Sequence, residues 1–372
     1  MSDKFNWIGR KGDTVTLKAL REFPFNTIAK NPGKAAVLDV ETTGLSSETD
    51  QIIEIGVIIF EYDKDTKKIT RILEEISELQ ESISPLRQKI IDITGITDDD
   101  LKGQTIDWNL FEEKMKGVEF IIAHNAAFDR GFMDQVSQFC REAKWCCSLN
   151  DILWADNGYP ILKLDTLAIY HGFFNDNAHR ASDDCKALLY LLTFNDYMSE
   201  MIKASESTNH LVFAKGTKFS TKLTFNDMEY KWSANPKLWY KLYRDKDDAE
   251  EGKDKLIKNV YDNKINLNNC DIVKVPPVYR YKSIDIILKG DPMLKESSAY
   301  KFSRELILTA SNLNHDTKDL LKERGYFYSP TSKASFCYIN EADLEEEKNW
   351  LKENVYRGSF KGKVIKNPHN SK

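Results

Sequence analysis

No stretch of this 372-residue chain approaches the roughly 18 consecutive apolar residues of a membrane span, which excludes a helical membrane protein. Charge of one sign is not in excess either: 53 basic residues stand against 58 acidic ones, a net charge of -5. Global charge therefore gives no indication of a nucleic-acid partner, and only local basic patches could supply phosphate contacts. The six cysteines (Cys140, Cys146, Cys147, Cys185, Cys270 and Cys337) include no CxxC pair and lack the density of a secreted disulfide scaffold. Reduced thiols in a reducing compartment are the expectation. The opening segment MSDKFNWIGRKGD has basic residues but no apolar core of a signal peptide, and a cytoplasmic protein is predicted.

The length suits two or three domains, each large enough to bury its own core. Residues 1–34 read as a polar N-terminal extension ending in the turn signal Asn31-Pro32-Gly33. AAVLDVETTGL and QIIEIGVIIFEYD then read as neighbouring strands of one sheet, with a third strand near Ile69 to Ile76. Short helices are expected in SPLRQKIIDITGITDDDL and from Trp108 to Met115, a buried strand in VEFIIAHN, and a helix in AFDRGFMDQVSQFC. LKLDTLAIYHG and ASDDCKALLYLLTFN add two more helices. The unit 35–202 is thus an α/β domain, a mixed sheet flanked by helices.

EMIKASESTNH, polar and serine-bearing, reads as a linker. Beyond it lies a weak internal repeat about 95 positions apart. MEYKWSANPKLWYKLYRD with DKLIKNVYDN, and RGYFYSPTSKASFCYINE with NWLKENVYRG, each read as an aromatic hairpin followed by a charged helix ending in Asn-Val-Tyr. Two small α+β modules follow from this, residues 203–265 with the linker and residues 266–372. The basic tail after Tyr356 is expected to be a flexible end.

Chemistry concentrates in the α/β domain. Asp39 and Glu41 are two apart in LDVETTG, so on a strand both carboxylates leave the same face of an otherwise apolar segment. Buried like charges are costly unless a cation neutralises them. Asp129 opens the helix after FIIAHN, where two readings stand, an acid facing the end of the sheet and one stabilised by the helix N-terminus. His179 and Asp184 in AHRASDDCKALL lie in and just after the turn leading a further helix. Four hard oxygen donors with one imidazole suit Mg²⁺ or Mn²⁺ rather than structural zinc. Two such ions about 4 Å apart can clamp the attacking and leaving oxygens of a phosphoryl displacement, and a nearby histidine can take the proton of the attacking water.

The succession DxE, HNAxFD and HRAxxD, with VETTGL, TGIT and KLDTLA at intervals between, resembles the DnaQ-like DEDDh exonucleases, which have a ribonuclease H-like fold. The resemblance spans roughly residues 35 to 200. It implies 3′-to-5′ hydrolysis of single-stranded DNA or RNA, or of frayed ends, with release of nucleoside 5′-monophosphates. It also implies two Mg²⁺ (or Mn²⁺) ions held by Asp39, Glu41, Asp129 and Asp184, and His179 as general base. A sister subclass carries tyrosine four residues before the last aspartate, and Arg180 stands there in this chain, which points to the histidine subclass. Thr42, Leu45, Asn125 and Phe128 would line the pocket of the terminal nucleotide, with Leu45 a wedge under the last base; for Leu45 and Phe128, plain core packing is the competing reading.

The segment from LLKERGYFYSP to NWLKENVY is similar to a C-terminal extension of stand-alone bacterial exonucleases of this family. Tyr230, Lys231, Trp232, Lys237, Trp239, Tyr240 and Lys241 in the first module read either as a single-strand binding surface or, preferably, as the aromatic core of a small domain. No glutamine- and leucine-rich clamp-binding motif follows the domain, so a replicative polymerase partner is permitted but not indicated. RNA trimming is equally open, and a binding scaffold with an inactive core is the rival from another class.

Overall fold

The computed structural model describes residues 9–11, 14–20, 22–154, 157–175, 179–217, 221–234, 237–261, 269–289, 306–310, 317, 320–321, 324, 326–329, 334–339, 344–356 and 359–366. The first domain is built on a five-stranded mixed sheet in the order β3-β2-β1-β4-β5. Strands β1 (Pro32–Thr42), β2 (Ile52–Asp63) and β3 (Lys68–Leu79) form an antiparallel meander. Strands β4 (Ile121–Ala123) and β5 (Trp145–Cys147) extend it in parallel beside β1. Such an order, with one antiparallel reversal at the second strand, is the mixed α/β sheet expected of a ribonuclease H-like fold.

All of β2 is buried, in keeping with a run of β-branched residues covered on both faces. One face packs against α1 (Ala126–Val136) through Leu38, Val40, Ile55, Val57, Phe132 and Met133. The opposite face packs against α2 (Ala181–Leu191) and α3 (Tyr197–Glu206) through Val37, Ile58, Leu188, Tyr197 and Met201. The single helix expected in AFDRGFMDQVSQFC is broken at Ser137, whose extended backbone lets its side chain accept from the Cys140 amide and cap a second short helix.

Helix α3 corrects the linker expectation. Tyr197, Met198, Met201 and Ala204 recur at helical spacing and are buried, so residues 197–206 complete the first domain, with Lys203 and Glu206 on the outer side. The N-terminal extension is tied down as well. Lys18–Ala19 pairs in parallel with Phe173–Phe174, and the Asp63 and Glu61 carboxylates accept the amides of Ala29, Lys30 and Asn31. None of the six cysteines forms a disulfide, and all are buried.

The C-terminal half contains two antiparallel four-stranded sheets. In the first, β6 (Asn209–Ala214), β7 (Lys231–Ala234), β8 (Lys237–Tyr243) and β9 (Cys270–Val275) run in the order β7-β8-β6-β9, with α4 (Lys246–Val260) preceding the last strand. In the second, β10 (Leu306–Ala310), β11 (Phe327–Ser329), β12 (Ala334–Ile339) and β13 (Lys363–Lys366) take the equivalent order β11-β12-β10-β13, with α5 (Leu344–Leu351) before the last strand. Helical residues also stand between the first two strands of each, Lys222–Asp227 in one and Thr317, Leu320 and Leu321 in the other. Both are β-α-β-β-α-β, split βαβ units. The sequence repeat is thus a repeat of topology, although the turn of its second hairpin, residues 330–333, lies outside the described residues.

Two boundaries differ from the sequence reading. Strand β9 pairs with β6 along its whole length, so the first module runs past residue 265 to Val275. Lys363–Lys366 is no flexible end but an edge strand on β10, where Val364 joins the module core; residues 367–372 lie outside the described residues. After β9 the chain returns to the first domain. Arg280, buried, bonds Asp151 and the Ala204 carbonyl, while Arg130 donates to the carbonyls of Val278 and Arg280 at 2.8 Å each. Buried Lys282 pairs with Asp134 at 3.1 Å. Among the described residues, no helix is long and apolar enough to cross a membrane.

Candidate active site

Strand alternation sets the floor of the site. Val37, Asp39 and Glu41 of β1 stand opposite Ile58, Gly56 and Glu54 of β2, all on the face that receives α2. Apolar side chains fill that face until its last positions, where carboxylates take over. A register shift between Glu41 and Thr42 bulges β2 by one residue at this end, after which Thr42 pairs with Ile52.

Helix α2 reaches this floor because Gly56 has no side chain: a Cβ there would overlap the carbonyl of Ala181 and the amide of Ser182. The Cys185 thiol donates to the Gly56 carbonyl at 3.2 Å. The close approach brings a carboxylate oxygen from each of Asp39, Glu41 and Asp184 within 4.8 Å of one another. Asp184 is oriented from both sides, by the His179 amide on Oδ2 and by Asn175 Nδ2 on Oδ1, each at 3.2 Å.

Asp129 comes from the other face. It lies in the first turn of α1, buried, and its Oδ1 accepts the Val40 amide at 3.3 Å, which holds it at the same end of β1. The crowding is visible in the acidities. Burial, reinforced by Asp129 and then by Asp184, Glu41 and Glu54, pushes Asp39 well above the usual carboxylate range. Burial and the neighbouring Asp184 push Glu41 up to about 8. Burial lifts Asp129 to about 7, and burial with Asp165 lifts Asp184 to about 6. Among the described residues none of the four forms a salt bridge, and Arg180 near Glu41 and His179 near Asp184 only partly offset the crowding. All-carboxylate donors at this spacing fit a hard divalent cation.

His179 is exposed, in the left-handed region at φ 68°, in the turn that leads into α2. Leu45, on the loop after β1, is 88% exposed, which separates it from the core. Thr42 is buried and its hydroxyl donates to the Gly44 carbonyl at 2.6 Å, shaping that loop. Asn125, exposed at φ 77°, starts α1, and half-buried Phe128 packs on Phe132 at 5.1 Å between ring centroids. Phe128 therefore sits half-buried at the edge of the core. Of the aromatic cluster in the first module, Tyr230 and Trp239 belong to the core, whereas Trp232 is 51% exposed.

Three residues were missed. Gly56 sets the helix approach, Asn175 orients Asp184, and Glu54, fully buried, pairs with Arg180. A lone acid in QIIEIGVIIF was a readable signal for Glu54, since an unpartnered carboxylate does not persist in a buried strand. The orientation of Asn175 depends on the fold around the helix and left no local mark.

Residues 36–192 match the RNase_T family model, described as an exonuclease. The DNA polymerase III PolC-type of Clostridium perfringens is 34% identical over 168 residues, covering 43% of this chain and 11% of the relative. The corresponding protein of Listeria innocua is 32% identical over 196 residues, covering 46% and 13%. The chain thus spans only about a tenth of the length of these curated relatives. Among solved structures, the zinc-bound form of an E. coli ExoI–ssDNA complex aligns with a TM-score of 0.37 at 15% identity, over 50% of this chain and 48% of that one. By that match, residues 36–192 of this chain carry an RNase_T exonuclease domain.

Proposed function

We propose that the chain is a 3′-to-5′ exonuclease that removes nucleoside 5′-monophosphates from single-stranded or frayed nucleic acid. The observation that carries this is the convergence of Asp39, Glu41 and Asp184 within 4.8 Å at the end of β1, with Asp129 fixed beside them. These four carboxylates would hold two Mg²⁺ or Mn²⁺ ions. When bound, the ions supply positive charge that stabilises the attacking and departing oxygens of phosphoryl displacement.

The chain's own groups then have distinct tasks. His179, exposed in the turn before α2, takes a proton from the attacking water as its oxygen bonds to phosphorus. The bond between phosphorus and the 3′ oxygen of the preceding nucleotide breaks, and that oxygen leaves as an oxyanion that takes a proton from solvent to become the new 3′ hydroxyl. Exposed Leu45 and half-buried Phe128 hold the terminal base and sugar, while Thr42 and Asn125 shape the pocket. The PolC-type relatives are DNA polymerases by name, which makes DNA the first strand to try.

The test is release of label from a 3′-labelled single strand, as DNA and as RNA, with Mg²⁺ and with EDTA. Mononucleotides with Mg²⁺ alone are expected. Binding without release under both conditions would establish a nucleic-acid scaffold instead.

A further inference from the structure

We propose that the Glu54–Arg180 ion pair is a positioning device for the cleavage site, fixing the turn of His179 and the first turn of α2 against the strands that carry Asp39 and Glu41. The inference rests on the exonuclease reading and deepens it. Glu54 is 0% exposed and stands directly across from Glu41 in the β1–β2 ladder. Arg180 Nε lies 3.1 Å from both of its oxygens, and Nη2 lies 2.9 Å from Oε1. The Ala181 amide adds a fourth bond to Oε2, at 3.1 Å.

That last bond matters for α2. Its N-cap residue, Arg180, supplies no side-chain cap, so the first amide of the helix is satisfied from another strand by Glu54. The same carboxylate thus anchors the helix start and, through the arginine fork, the residue between His179 and the helix. His179 adopts a left-handed backbone at φ 68° and gives its amide to Asp184, so a shift of this turn moves both residues together. Without Arg180, a buried Glu54 beside Glu41 would add one more uncompensated negative charge to the cluster. With it, the pair is neutral, and Arg180 remains 42% exposed at the rim.

The deciding variant is Arg180→Lys in the full chain, which keeps the charge and loses the fork. It is read by Mn²⁺ binding without substrate, followed by electron paramagnetic resonance, and by kcat and KM on a 3′-labelled DNA strand. The expected result is weaker Mn²⁺ binding, kcat lower by roughly 10- to 100-fold, and KM within about twofold of wild type. Arg180→Ala should show a larger loss, and if it does not fold the lysine variant alone decides. Adding Glu54→Gln to Arg180→Lys should cost little further, because both break one pair. Arg180→Lys with wild-type kcat and Mn²⁺ affinity would overturn the proposal. Should the wild-type chain release no nucleotide in Mg²⁺, the exonuclease reading falls, while the Mn²⁺ comparison still reports on the ion pair.

Discussion

Gly56 lies directly beneath Ala181, so that the backbone of α2 rests on the backbone of β2 with no side chain between them. Residues three positions further along the helix inherit their place from this contact. Gly56→Ala is therefore expected to lift the start of α2, destabilising the fold by about 1–3 kcal/mol and weakening Mg²⁺-dependent turnover more than strand binding. Chemical denaturation and the split between kcat and KM check it; an alanine variant with wild-type kinetics would mean that the contact does not set the site.

The acidic cluster makes the stability of the metal-free protein depend on pH in a defined direction. Glu41 near 8, Asp129 near 7 and Asp184 near 6 all exceed the ordinary value of about 4 that they regain on unfolding. Between those values the folded state holds protons that the unfolded state has released, so stability falls as pH rises from about 4 to about 8. Melting in EDTA should show this decline, and Mg²⁺ should raise the melting temperature more at pH 8 than at pH 5. Asp39→Asn should abolish turnover, raise the melting temperature in EDTA and flatten its pH dependence. Equal slopes with and without the substitution would remove Asp39 from the cluster's electrostatics.

His179 contributes a side chain at the surface of its turn, with little packing to lose. His179→Ala is expected to lower kcat by about 100-fold or more while leaving the melting temperature and Mn²⁺ affinity near wild type. A matching fall in Mn²⁺ affinity would show that the residue orients Asp184 through its turn instead of handling a proton.

Arg280 and Asp151 form a buried pair between the segment after the first module and the exonuclease domain. Removing one partner of such a pair leaves an uncompensated charge, so Arg280→Ala should cost about 3–5 kcal/mol. Denaturant unfolding of the full chain gives the value. A chain ending at residue 207 lacks Arg280 and Lys282 altogether and is expected to melt lower than the full chain; equal melting of the two would show that the segment is dispensable.

How much of this was legible in the sequence follows from the range of each interaction. The alternation around Asp39 and Glu41 and the buried run of β2 are local, and the three-strand meander could be read from them. Trp145–Cys147 could not, because three residues show no period, and its partner β4 lies more than twenty positions away. The serines of EMIKASESTNH outweighed Tyr197, Met198, Met201 and Ala204, whose helical spacing begins before that segment. The basic tail looked unstructured because Val364 and Ile365 pair with a strand more than fifty positions earlier. In the cleft, the acids announced themselves by their apolar surroundings, whereas Gly56 and Asn175 act through neighbours that only the folded chain supplies.

The way the first module is attached has a mechanical result. Asn209, its first paired residue, sits beside Val275, its last, and both lead straight into anchored parts of the exonuclease domain, α3 on one side and Arg280 on the other. The module is entered and left through two short connections, residues 207–208 and 276–279, that run out side by side from its paired strands. A displacement of one connection is passed to the other through the β6–β9 ladder, so the module is held at two adjacent points and not at one.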